Sequence, residues 1–334
     1  MHKSRLPVFL VLFLALVLTA VSTIDTHAAE VPDSWKREFP KADFSKSSVG
    51  VDEIMSGGPP RDGIPPIDNP KFVLANDHAL PAREPVIGVF LNGEYRAYPL
   101  RILTWHEIVN DEINGTPLTV TYCPLCNAAI VFDRRLDGQV LDFGTTGKLR
   151  NSDLVMYDRQ TDSFWQQAIG TGIMGSMTGK ELTILPARLE SWEKFLARAD
   201  DSAKVLVPNN PGMRRYGQNP YVGYDSRERP YGFFQGEMPE DIDPMVRVVV
   251  VHGEAWSLPL VSAKGVINAG HGMKISWQAG QNSALDSGTI AEGRDVGNVV
   301  VTHPKDGGGR EDVPYDITFA FVYYAFHPQG VIHQ

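Results

Sequence analysis

Leu118-Thr119-Val120-Thr121-Tyr122-Cys123-Pro124-Leu125-Cys126-Asn127-Ala128-Ala129-Ile130-Val131-Phe132-Asp133 holds both cysteines of a 334-residue chain and sets its fold class. Leu118, Val120 and Tyr122 alternate with Thr119, Thr121 and Cys123, the two-residue period of a strand. Asn127 to Asp133 continues as a second strand. The bend between them is short, so the two strands bring both sulfurs to one place.

Outward from this hairpin the same grammar recurs. Val86 to Leu91, then Asn92-Gly93, then Glu94 to Tyr98 reads as a hairpin with a type I′ turn. Asn92-Gly93-Glu94-Tyr95-Arg96-Ala97-Tyr98-Pro99-Leu100 resembles His252-Gly253-Glu254-Ala255-Trp256-Ser257-Leu258-Pro259-Leu260 at an offset of 160, and each copy follows an apolar strand. The chain is therefore expected to be mainly β, a β-rich α+β fold of two related halves from a weak internal duplication. The expected divisions are a Pro/Gly-rich extended strap over residues 30–82, a first half over 83–208 and a second over 209–334. Few helices are expected. Thr104-Trp105-His106-Glu107 has the form of a capping box opening a helix to Asn110 or Asp111. Ser191 to Ala199 puts Trp192, Phe195, Leu196 and Ala199 on one helical face. Tyr315 to Phe326 reads as a buried strand.

Composition agrees with many short elements, since the chain carries 31 Gly and 24 Pro. Hydrophobic and charged fractions of 43% and 21% exclude a collagen-like, coiled-coil or wholly disordered protein. A formal charge of −9 speaks against a general nucleic-acid binder, which needs a basic surface. His2, Lys3 and Arg5 precede an apolar run from Leu6 to Val21, and small residues follow at Ala28 and Ala29. That layout predicts a cleaved signal peptide over residues 1–29 and a periplasmic or secreted protein with no membrane span after cleavage.

The cysteines carry the chemistry, and three readings of Cys123-Pro124-Leu125-Cys126 compete. An oxidising compartment permits a local disulfide. A thioredoxin-like dithiol needs a helix after the second cysteine, yet a strand follows here. A metal knuckle needs four ligands, and no second Cys pair exists. The remaining donors would be His, Met, Asp or Glu, which shifts the ion from structural zinc toward copper or a mixed-ligand site. His106 stands 17 residues before Cys123, on the element leading into the cysteine strand. Met156 could add a soft sulfur. Asn151-Ser152-Asp153-Leu154-Val155-Met156-Tyr157-Asp158-Arg159 reads either as a strand with turn-making ends or as a polar rim that orients a ligand.

Five motifs in order resemble one family. They are Gly57-Gly58-Pro59-Pro60-Arg61-Asp62-Gly63-Ile64-Pro65, Ala97-Tyr98-Pro99-Leu100, His106-Glu107-Ile108-Val109-Asn110-Asp111, Thr121-Tyr122-Cys123-Pro124-Leu125-Cys126 and Leu154-Val155-Met156-Tyr157-Asp158-Arg159. With the closing Ala325-Phe326-His327-Pro328, they make the chain similar to the domain of unknown function 3179 family of exported prokaryotic proteins. The resemblance implies near-fixed positions for Cys123 and His106 and a variable one for Cys126. It thereby gives weight to a single Cys with a nearby His, and it implies no reaction. The leading expectation is a copper-type metal site of Cys123, Cys126, His106 and Met156, taking a metal ion or a small ligand. A cysteine-dependent enzyme with Cys123 as nucleophile and His106 as base is the second. A non-catalytic binding module with a Cys123–Cys126 disulfide is the third.

Overall fold

Local turn chemistry fixes the frame. In the computed structural model, which describes residues 30–334, strands Pro85–Leu91 and Glu94–Pro99 pair antiparallel outward from Leu91 and Glu94. Asn92 and Gly93 turn them at φ 50 and 82, as a type I′ turn requires. The expected signal peptide over residues 1–29 lies outside the described residues. Strands Arg247–Val251 and Glu254–Ser257 repeat the hairpin, with His252 and Gly253 at φ 50 and 78.

The duplication extends far beyond the nine matched residues. In the first half the hairpin is flanked by Arg188–Ser191, antiparallel, and by Lys204–Val207, parallel. In the second half it is flanked by Asp316–Phe319, antiparallel, and by Ile332–His333, parallel. A seven-residue helix joins each flanking pair, Trp192–Arg198 in one and Ala320–Phe326 in the other. Each hairpin is followed by another seven-residue helix, Leu100–His106 or Leu258–Lys264, and then by a meander. The first meander is Ile108–Ile113, Thr116–Cys123 and Ala128–Asp133. Its counterpart is Val266–Asn268, Lys274–Gln278 and Asn298–Pro304.

The last meander strand of each half packs on the flanking strand of the other, Ala128–Asp133 on Asp316–Phe319 and Asn298–Pro304 on Arg188–Ser191. Asn127 Nδ2 donates to Ile317 O at 2.8 Å, and Ser191 N donates to Asn298 Oδ1 at 2.7 Å, so the exchange is reciprocal. One apolar core runs across both halves and includes Ile87, Tyr98, Val120, Val249, Trp256 and Val299.

One sheet has no counterpart. Strands Phe143–Arg150, Asp153–Asp158, Phe164–Gln166 and Thr171–Met174, edged by Met55–Ser56, are inserted in the first half. With it, five sheets of four or five strands form a propeller-like, mainly β arrangement. Among the described residues no helix is long and apolar enough to cross a membrane.

Three expectations need correction. The segment over residues 30–82 is more than a strap. It includes helix Asp33–Glu38, whose Trp35 packs with Val155 and Phe164 of the inserted sheet, and strand Lys71–Leu74, which edges the first hairpin sheet. The capping box at Thr104 does not form. Leu100, Ile102 and Leu103 bury a helix that starts four residues earlier, and Thr104 Oγ1 donates back to Leu100 O at 2.9 Å. Asn110 and Asp111 belong to strand Ile108–Ile113 instead. Tyr315 to Phe326 divides into strand Asp316–Phe319 and helix Ala320–Phe326, because an unbroken apolar run suits a buried helix as well as a strand.

Candidate metal centre

The cysteine turn is held from both sides. Cys123 ends its strand opposite Ala128, and the bend closes with Cys126 N donating to Cys123 O and Asn127 N to Pro124 O, both at 3.2 Å. Asn127 takes φ 55, a conformation Asn tolerates better than most residues. The second half then clamps the bend. Cys126 O accepts from Thr318 Oγ1 at 2.8 Å and from Phe319 N at 3.2 Å. Tyr224 Oη donates to Leu125 O at 2.9 Å. The bend is thus held by residues from about one hundred to nearly two hundred positions away.

Opposite the bend stands Asp153, the first residue of its strand, after a turn in which Asn151 and Ser152 have φ 50 and 67. Its Oδ2 accepts from Gln166 Nε2 at 2.6 Å and from Ala168 N at 2.9 Å. Its Oδ1 is buried with no close hydrogen-bond partner among the described residues, and the two thiols stand beside the carboxylate as weak donors. Cys123 Sγ, Cys126 Sγ and a carboxylate oxygen of Asp153 all lie within 4.8 Å of one another. Cys123 Sγ also lies 3.7 Å from Ser152 O, at the long edge of a thiol hydrogen bond. A buried carboxylate oxygen without a partner costs free energy, on the order of 1–3 kcal/mol. The three side chains are buried, and both cysteines are free thiols.

Burial dominates the electrostatics. It pushes both thiols above their ordinary range and raises the Asp153 carboxyl to about 6. Glu107 is pushed to about 8, by burial first and by the charge of Asp153 second. The thiols are therefore protonated at neutral pH, the opposite of an activated cysteine nucleophile. A cation among these donors would reverse the balance, since thiolate and carboxylate both gain from it. Cys123 and Glu107 line a cleft of about 190 Å³ with Leu149, Tyr221, Tyr231 and Phe233, so the cluster meets the cleft at Cys123. A larger cavity of about 410 Å³, lined by Val250, His252, Tyr315, Asp316 and His327, contains no cysteine.

The structure brings Cys123 and Cys126 together as the spacing predicts, but does not bring His106 to them. His106 ends helix Leu100–His106 with its ring stacked on Tyr216 and both nitrogens engaged. Nδ1 donates to Pro65 O at 2.7 Å, because a carbonyl can only accept, which leaves Nε2 to accept from Tyr216 Oη at 2.8 Å. Burial lowers its pKa, so the ring is neutral and works as a pin between the helix and two distant segments. The Cys123–His106 catalytic pair is not assembled, for the same reason. Met156 is wholly buried in the apolar cluster that also contains both cysteines.

Two residues beside the cysteines were not picked out by the sequence. Asp153 stood in the stretch read as a strand or as a ligand-orienting polar rim, without being singled out within it. Glu107 was hidden because Thr104-x-x-Glu107 imitates a capping box.

The first of two similar β halves thus carries a buried cluster of two thiols and one carboxylate. The chain belongs to the family described as protein of unknown function (DUF3179), whose sequence model matches residues 61–330. No curated protein and no solved structure matches it.

Proposed function

We propose that this protein binds one thiophilic metal ion through Cys123, Cys126 and Asp153, with the fourth position open to the cleft. The observation that carries the reading is Asp153 Oδ1, buried with only two buried thiols beside it and no close partner among the described residues. Two soft sulfurs and one oxygen suit copper or zinc, and three protein ligands with an open side are the pattern of a centre that takes an exogenous ligand. Copper follows from the two sulfurs, while the carboxylate in place of imidazole brings zinc within range. The basic start and apolar run before residue 30 support delivery to an exported compartment.

The test is metal loading of residues 30–334 under anaerobic conditions, with Cu(I) and Zn(II) offered separately. About one ion per chain is expected, and Cys123→Ser, Cys126→Ser and Asp153→Asn should each lower affinity by about a hundredfold or more. Loading that survives Cys123→Ser and Asp153→Asn unchanged overturns the site. Two sulfurs recovered as a disulfide, with no metal taken up after reduction, would favour the binding-module reading instead.

A further inference from the structure

The two halves end equivalent helices in nearly the same way but with different residues. Helix Leu258–Lys264 is closed by Gly265 at φ 68 and ψ −40, whose N–H donates to Val261 O. Helix Leu100–His106 is closed by Glu107 at φ 58 and ψ −33, whose N–H donates to Leu103 O. A strand begins one residue later in each, at Val266 and at Ile108. Glycine suits that conformation and glutamate does not, because a Cβ crowds the backbone at positive φ. Glu107 is only 7% exposed. Lys148, which also lines the cleft, is engaged by Glu38 Oε2 at 3.0 Å and by Thr146 O at 3.3 Å. Glu107 lines the cleft beside Cys123. Outliers of this kind cluster where a site needs them.

We propose that Glu107 is a ligand-binding residue of the centre: it accepts a hydrogen bond from a small oxygen-donor molecule, water at rest, bound to the ion from the cleft side. This rests on the metal reading of Cys123, Cys126 and Asp153. It assigns the centre to exchange of small molecules that both coordinate a metal and carry an O–H or N–H, which a closed structural site would exclude.

The test uses residues 30–334 loaded with Co(II), whose visible absorption reports coordination, and acetohydroxamate as the probe. Glu107→Gly should weaken acetohydroxamate binding by roughly tenfold, the effect of losing one hydrogen bond, and Glu107→Gln, which keeps an amide oxygen as acceptor, should weaken it by less. Co(II) stoichiometry should stay unchanged. In the metal-free protein Glu107→Gly should raise the melting temperature by roughly 2–4 °C, since the second half shows that glycine closes this helix. A merely structural glutamate would lower it. Unchanged probe affinity in both loaded variants, or a lower melting temperature for Glu107→Gly, overturns the role of Glu107. Failure of the unsubstituted protein to take Co(II) overturns the metal reading beneath it.

Discussion

The two halves share a frame and differ at the places where chemistry can sit. Each has a type I′ hairpin, a seven-residue helix, a meander and a flanking strand–helix–strand. In the first half the second and third meander strands are joined by the tight Cys123–Cys126 bend. In the second, residues 279–297 intervene between Lys274–Gln278 and Asn298–Pro304. In the first half residues 134–187, between the meander and the flanking strand, include the sheet that supplies Asp153. In the second, residues 305–315 do that work with one short strand, Arg310–Asp312. The same backbone plan thus occurs twice, and the cluster of Cys123, Cys126 and Asp153 occurs once among the described residues. The first copy differs in its tight Cys123–Cys126 bend, in its inserted sheet and in Glu107 at the positive-φ helix end where the second copy has Gly265.

The largest expected contrast is in pH dependence. Burial raises Glu107 from 4.5 to about 8 and Asp153 from 3.8 to about 6, so between these values the folded metal-free chain holds more protons than the unfolded one. Their contribution to stability is complete below the unfolded values and is lost as pH rises through about 6 and then about 8. Chemical denaturation across pH should show this as a difference, on the order of a few kcal/mol, between the unsubstituted chain and Glu107→Gln at the alkaline end. Metal binding must show the opposite slope, tightening with pH as the donors deprotonate. A loaded protein that loses stability with pH in parallel with the metal-free one would place the ion elsewhere.

Next come the paired asparagines at the seam. Asn127→Ala removes the bond to Ile317 O, and Asn298→Ala removes the acceptor of Ser191 N. Each should cost about 1–3 kcal/mol, since a buried backbone group loses its partner. Only Asn127→Ala should also weaken metal binding, because Asn127 follows Cys126 directly. Equal effects on metal binding would show that the seam acts only as a whole.

His106→Ala should destabilise the chain by roughly 1–2 kcal/mol and leave metal affinity unaltered, because two hydrogen bonds are lost and no ligand is. Its pKa is lowered by burial, so its contribution falls away on acidification as the unfolded ring takes up a proton first. The variant should therefore be less acid-sensitive than its parent. Loss of metal with His106→Ala would restore the histidine to the centre. The smallest effect is expected of Gly265→Glu, about 1 kcal/mol, since it meets conformational strain in otherwise open space and gains no site.

What the sequence made legible was local. The hairpins were readable because Asn92-Gly93 and His252-Gly253 carry their own turn chemistry, and the cysteine strands because their period is two. The partners of His106 were not readable. Pro65 is 41 residues before it and Tyr216 is 110 after it, and no pattern near His106 names either. Asp153 belongs to an inserted sheet whose approach to the bend depends on packing. Glu107 was misread because a capping-box pattern and a strained helix end look alike in one dimension.

X-ray absorption of the metal-loaded protein at the metal edge tests the centre most directly. Two sulfur neighbours at about 2.3 Å with oxygen neighbours at about 2.0–2.2 Å are expected, without the scattering pattern of an imidazole ring. A spectrum with histidine features, or with fewer than two sulfurs, contradicts a centre built from Cys123, Cys126 and Asp153.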